Sequence, residues 1–322
     1  MRSLRRKASY TLAVLLSFSA SGARGAEVPP PWLDAQGYAA ASTEMPQQQP
    51  FNVFQPTGPI STSAALGSPG GTDTSGAAAV YVDYGHIGIS VGGMARKPDV
   101  GPSSDIVGSG SAVGEWSDLF TIQPANSALQ FTQGTLVFSL PLSGTANADG
   151  AGGTQLAGGG WNLDVQLGTC DPGCTFSQQG SWIDQGPAGG GFVYTGDPIA
   201  GLMHVSVPIQ FAASMPLDVK LSVYAQALGG VPEFATASGE FGHTLLWGGF
   251  ESVTDSHGAT VSDYTVMSSS GTDWSKPVSE PEQPAETISA AAVIAALAST
   301  RSCLRTSNRA SACTRRREPR GR

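Results

Sequence analysis

The sequence predicts an all-β fold, an antiparallel two-sheet β-sandwich of jelly-roll-like kind, on three observations. Apolar residues alternate strictly with polar ones over several runs, which is the mark of half-buried strands. Clusters rich in Gly, Pro, Asp and Asn separate those runs and supply turns. The composition disfavours helices: 42 Gly and 22 Pro stand among 322 residues and only 13% are charged. A helical bundle instead needs Leu, Glu and Lys in helical periods.

The chain starts with what reads as an address. Arg2, Arg5, Arg6 and Lys7 form a positive start, and Thr11 to Ala20 forms a short apolar run. That run is too short to span a bilayer, which takes roughly 20 apolar residues. Ala23 and Gly25 place small residues where a signal peptidase requires them. Residues 1–25 are therefore expected to be a secretory signal peptide, cut after Gly25. Residues 26–76 carry Pro29-Pro30-Pro31, Gln47-Gln48-Gln49-Pro50 and Gly/Ser/Thr-rich spacers with no lasting period. They are expected to form a low-complexity, disordered linker, because they offer little apolar surface to offset the entropy of ordering.

Residues 77–275 are expected to be the β-sandwich. Leu136, Phe138, Leu140 and Leu142 alternate with polar positions or proline, as do Trp161, Leu163, Val165 and Leu167. Met203, Val205, Val207, Ile209 and Phe211 repeat the pattern, and so do Leu217, Val219, Leu221 and Val223. Turn signals lie at Ala148-Asp149-Gly150, Asp171-Pro172-Gly173, Thr195-Gly196-Asp197-Pro198 and Ser256-His257-Gly258. Pro141 and Pro208 cannot donate to a ladder, so their strands are expected at edges or bulges. One-faced strands need a second sheet, giving a sandwich of roughly 8–12 strands.

Charge is segregated along the chain. Between Ala26 and Thr300 only Arg96, Lys97, Lys220 and Lys276 are basic, against 24 acids, so the body carries a charge near −20. Such a body repels phosphate backbones, which argues against nucleic acid as a partner. The tail reverses the sign. Pro277-Val278-Ser279-Glu280-Pro281 leads to an apolar run, Ile288 to Ala298, and then to an arginine-rich end containing Arg315-Arg316-Arg317. A motif, an apolar segment and a basic cluster together make a stop-transfer signal.

This ending resembles the PEP-CTERM sorting tail, whose usual start is Val-Pro-Glu-Pro. Val278, Glu280 and Pro281 match it, and Ser279 replaces the usual proline. The body carries further likenesses. Trp116-Ser117-Asp118-Leu119-Phe120-Thr121-Ile122 resembles a strand near the start of many domains of that family. Phe241-Gly242-His243-Thr244, Val253-Thr254-Asp255-Ser256-His257-Gly258, Tyr264-Thr265-Val266 and Ser268-Ser269-Ser270-Gly271-Thr272 resemble its recurrent ending. The tail, residues 276–322, is longer than the family's pattern and carries Cys303 and Cys313. The resemblance implies recognition and cutting of the tail by a membrane enzyme, exosortase, during export. It implies transient partnership with the secretion machinery, with the membrane touched only through the tail. It also implies residence at the surface of, or outside, bacteria that make exopolysaccharide, itself a candidate partner.

No catalytic constellation emerges. Gly88-Ile89-Ser90-Val91-Gly92 matches the nucleophile-elbow pattern with His86 nearby. The helix the elbow requires cannot follow, since Arg96-Lys97-Pro98 comes next. His86, His204, His243 and His257 have no metal-ligand spacing. No calcium-loop run, Walker loop or dinucleotide fingerprint is present, so no cofactor is implied. Cys170 and Cys174 are expected to close a small disulfide loop in an exported protein; free thiols and metal ligation are the alternatives. The expected function is that of an exported structural or interaction protein of the envelope or matrix. Alternatives are a carbohydrate-binding module using exposed Trp182, Tyr194, Trp247 or Trp274, and a hydrolase resting on Ser90 alone.

Overall fold

The computed structural model describes residues 30–42, 46–67, 73–96, 106–150, 156–168, 175–184, 191–229 and 234–279. Sixteen strands follow one another there. They are β1 (Trp32–Ser42), β2 (Pro46–Gln55), β3 (Ile60–Gly67), β4 (Asp73–Asp83), β5 (His86–Arg96), β6 (Ile106–Pro124), β7 (Gln133–Leu142) and β8 (Thr145–Gly150). Then come β9 (Leu156–Leu167), β10 (Thr175–Asp184), β11 (Phe192–Gly196), β12 (Gly201–Gln210), β13 (Met215–Gly229), β14 (Phe234–Leu246), β15 (Phe250–Asp255) and β16 (Tyr264–Ser268).

The first sheet runs β11-β10-β9-β13-β6-β1-β2, with β16 also on β6. The second runs β12-β7-β14-β5-β4-β3, with β15 on β7 and β8 on β14. Both sheets are antiparallel, and the strands with strict alternation do what their pattern demands. Trp161, Leu163, Val165 and Leu167 of β9, Leu217, Val219, Leu221 and Val223 of β13, and Leu136, Phe138, Leu140 and Leu142 of β7 are all buried in the shared core. Their alternate neighbours face outward, as the two-residue period requires.

The expected linker is corrected. Much of 26–76 is sandwich: β1, β2 and β3 lie in it, and Trp32, Leu33 and Ala35 are buried. β1 pairs with β6 from Trp32↔Ser117 to Ser42↔Val107, and the Gln/Pro-rich β2 pairs with β1 from Leu33↔Gln55 to Ser42↔Pro46. The physical reason lies in side-chain size. Inward positions of β1 are mostly Ala and Gly, which give almost no hydrophobic period but let the sheets approach backbone to backbone. A Cβ on Gly110 of β6 would collide with the carbonyl oxygen of Ala77 in β4. A Cβ on Gly93 of β5 would strike that of Gly108, and a Cβ on Gly76 would strike those of Ser109 and Ala40. Facing sheets usually stand about 10 Å apart, held off by larger side chains. These extra strands also lift the total above the roughly 8–12 expected.

Pro208 falls on β12, an edge strand, as expected. Pro141 falls on β7, an interior strand, where β15 begins opposite Phe138 and β14 touches β7 only at Leu142. Ala148-Asp149-Gly150 is not a turn but part of β8, paired with β14. Residues 1–29, Cys170, Cys174, Glu280, Pro281 and the rest of the tail lie outside the described residues. None of the helices among the described residues is long and apolar enough to cross a membrane.

Candidate functional site: a clamped exit strap and a polar sheet face

β6 alternates through Trp116, Asp118 and Phe120, so its period carries one carboxylate to the core side at the end of the sandwich. Asp118 is fully buried. Its Oδ1 accepts the N–H groups of Leu119 at 2.8 Å and Ser270 at 3.0 Å. Its Oδ2 accepts the Ser270 hydroxyl at 2.6 Å and the indole N–H of Trp274 at 2.7 Å. All the lone-pair directions of the carboxylate are thereby used, which is what makes burial of such a group tolerable. Three of these donors belong to the segment that follows β16, and the Ser269 N–H adds a bond to the Leu119 carbonyl at 2.9 Å.

Aromatic packing completes the clamp. Trp274 stacks on Trp116 at 4.7 Å with planes 10° apart, and Trp247 meets Trp274 edge-on at 5.1 Å. Trp247 also stacks on Phe138 of β7 at 4.6 Å. The Trp247 indole donates to the Trp274 carbonyl at 2.7 Å, and the Val278 N–H donates to the Trp247 carbonyl at 2.9 Å. Gly85 turns β4 into β5 with φ of 80°, and a Cβ there would press on Val278 at 2.6 Å. Within the strap the Lys276 ammonium lies 2.7 Å from Asp273 and holds that carboxyl below its usual range. Trp274 of the strap Ser268–Val278 is thus part of the core, and Val278, the last anchored residue, packs against it. An early and a late strand meet β6 here: β1 starts opposite Ser117, and β16 ends opposite Phe120.

Two stretches singled out in the sequence, Trp116–Ile122 and Ser268–Thr272, are therefore brought into direct contact. The sequence marked both but gave no sign that they pair. It also misplaced the aromatic candidates. Trp182, Trp247 and Trp274 are at most 2% exposed and cannot offer a face to a sugar. Trp182 turns inward on β10, and the corners holding Trp247 and Trp274 fold back into the sandwich, where their large apolar surface is best buried. Tyr194 is half-buried, its hydroxyl accepting from the Trp161 indole at 2.9 Å and donating to the Asp197 carbonyl.

Ser90 sits mid-strand in β5, with extended backbone on both sides and its side chain buried. The strand–turn–helix corner that would present a nucleophile is not formed there. His86 is buried with its ring 5.0 Å from that of Tyr81. His204 is exposed on the edge strand and bonds Glu251 at 2.8 Å. The His257 N–H donates to Asp255 in the β15 turn at 2.9 Å. Among the described residues no group of three His, Cys, Asp or Glu stands close enough to hold a metal ion.

The outer face of the first sheet carries what the sequence did not reveal. Register places Tyr38, Ser111 and Tyr224 in one row across β1, β6 and β13, and Gly160 of β9 continues it. The row beside it holds Gln36, Val113, Ser222, Asn162 and Gln179. A Cβ on Gly160 would stand 2.7 Å from Cε1 of Tyr224, so that ring takes the space a side chain would need. Partial burial raises both tyrosine pKa values. Comparison with family models, with curated proteins and with solved structures finds no match for this chain.

Proposed function

We propose that the chain is an exported bacterial envelope or extracellular-matrix protein of structural or interaction type, a folded head carried on a C-terminal sorting tail. The observation that carries this reading is the strap. Ser268–Val278 is bonded and stacked into the core directly before Glu280-Pro281, the apolar run and the arginines. A tail that is held, read and cut by membrane machinery needs a firm junction with its head, and a buried carboxylate bonded three times to the strap supplies one. The charged, apolar start of the chain supports export by the secretion route. The test is expression of the full chain in a bacterium with an exosortase and in the same strain without it. The expected product is an extracytoplasmic protein lacking leader and tail in the first strain only. Intact polypeptide with reduced cysteines in the cytosol of both strains refutes the proposal.

A second reading, glycan binding, is favoured by one feature: the Tyr224 side chain lies beside Gly160, with hydroxyl and amide side chains in the adjoining row. Aromatic faces with neighbouring amides suit the apolar faces and hydroxyls of neutral sugars. Tyr38 and Tyr224 lie two strands apart, about 10 Å from the usual strand spacing. Selective binding on a glycan array, lost in Tyr224→Ala, tests it. Binding unchanged by that substitution removes the platform from consideration.

A further inference from the structure

We infer that the fold itself sets the limit of proteolytic processing: the Asp118 carboxylate and the Trp116–Trp274–Trp247 stack place Ser268–Val278 beyond the reach of a peptidase, so the processing site lies past Val278. This deepens the tail-tethered reading and rests on it for the identity of the enzyme.

The argument is geometric. A peptidase takes its substrate as an extended strand, with several residues on each side of the scissile bond free to enter its cleft. In the strap those backbone groups are engaged. The N–H groups of Ser269, Ser270, Trp274, Lys276 and Val278 bond to Leu119, Asp118, Thr272, Asp273 and Trp247 respectively. The Ser268 hydroxyl bonds the Thr272 carbonyl at 2.7 Å, folding the strap into a tight bend in place of the extended strand a cleft takes. Trp274 is fully buried, and Trp247, which receives Val278, is almost as deep. Freeing the strap therefore means stranding a buried carboxylate and exposing two indoles, a costly opening and hence a rare one. The bonds to Asp118 join residues more than 150 positions apart in the chain, Ser270 at a separation of 152 and Trp274 at 156. They can form only once β6 is in place, so the limit exists in the folded head and not in the unfolded chain.

The test uses the full chain and a broad-specificity serine endopeptidase, with intact mass to locate the C-terminus of the surviving head. The expected head ends at or beyond Ser279. Ser270→Ala and Trp274→Phe each remove a donor to Asp118 and should move the end into 268–278, with trimming faster by about tenfold. A wild-type head that ends within 268–278 overturns the inference. So does a folded variant trimmed at the wild-type position and rate. Should both variants fail to fold, hydrogen exchange on the unaltered chain decides. Protection of the Ser270 and Val278 amides equal to that of β6 supports the inference, and their exchange at the rate of exposed turns overturns it. A boundary at Ser279 in a chain that never leaves the cytosol supports the inference while refuting the export reading. An exported chain cut within 268–278 does the reverse.

Discussion

Replacing Asp118 by Asn keeps the volume and removes the charge, which makes it the sharpest probe of the clamp. The amide offers one oxygen where the carboxylate offered two. If that oxygen keeps the N–H groups of Leu119 and Ser270, the amide nitrogen faces the Trp274 indole N–H, donor against donor. The Ser270 hydroxyl can turn to accept, because Thr272 Oγ1 lies 2.9 Å away on its other side. Trp274 has no such remedy, and a stranded buried donor costs about 1–3 kcal/mol. Loss of charge assistance in the remaining bonds brings the expected destabilisation to about 3 kcal/mol. Urea unfolding followed by tryptophan fluorescence measures it, with an unchanged m-value showing that the extent of unfolding is the same. A double-mutant cycle isolates the bond. Trp274→Phe removes the donor, so Asp118→Asn should cost at least about 1 kcal/mol less in that background. Costs that add to within about 0.5 kcal/mol would refute the reasoning, because they would mean that the carboxylate and the indole do not share a bond.

Other outcomes test other parts of the molecule. Gly110→Ala places a methyl group against the Ala77 carbonyl and should destabilise by about 3 kcal/mol, whereas Gly201→Ala, with open space around it, should stay within about 0.5 kcal/mol. Thermal melts of the pair check that contrast. Trp247→Ala should cost about 3–5 kcal/mol by opening a cavity among Phe138, Phe250 and Trp274, read as a fall in melting temperature. Burial first, then the charges of Asp118 and Asp83, raise the Tyr84 pKa. The folded state therefore holds the phenolic proton to higher pH than the unfolded chain does. That contribution is fully present below about pH 10 and is lost as pH rises beyond it. Tyr84→Phe should flatten the loss of stability in alkaline denaturation, and an unchanged slope would count against this account.

The legible parts of the sequence were the strands whose inward residues are large. Trp161–Leu167, Met203–Ile209 and Leu217–Val223 announce themselves because each buried side chain removes much apolar area from water. Least legible was β1, where the inward positions are mostly small residues, Ala35, Gly37, Ala39 and Ala41. Alanine and glycine carry little hydrophobic signal, and their value here is shape, which depends on equally small partners far along the chain. Gly108 and Gly110 are those partners, and no local pattern points to them. The clamp was half legible. Trp116-x-Asp118 and Ser268–Thr272 stood out as motifs, but a buried carboxylate reads as an exposed one until its donors are located. The tryptophans misled because exposure was inferred from residue type, whereas the corners holding Trp247 and Trp274 fold back into the sandwich.

The meeting of the first strand and the closing strap on β6 has a consequence for how the molecule can be rewired. Trp32 lies opposite Ser117, and Ser270 bonds Asp118, the next residue. Circular permutation is therefore open to this protein: a bridge from the residues after Val278 back to Trp32 would keep both segments on the same end of the sandwich. New termini could be opened at the β2–β3 bend, where Gly58 has nothing within 4 Å of its would-be side chain.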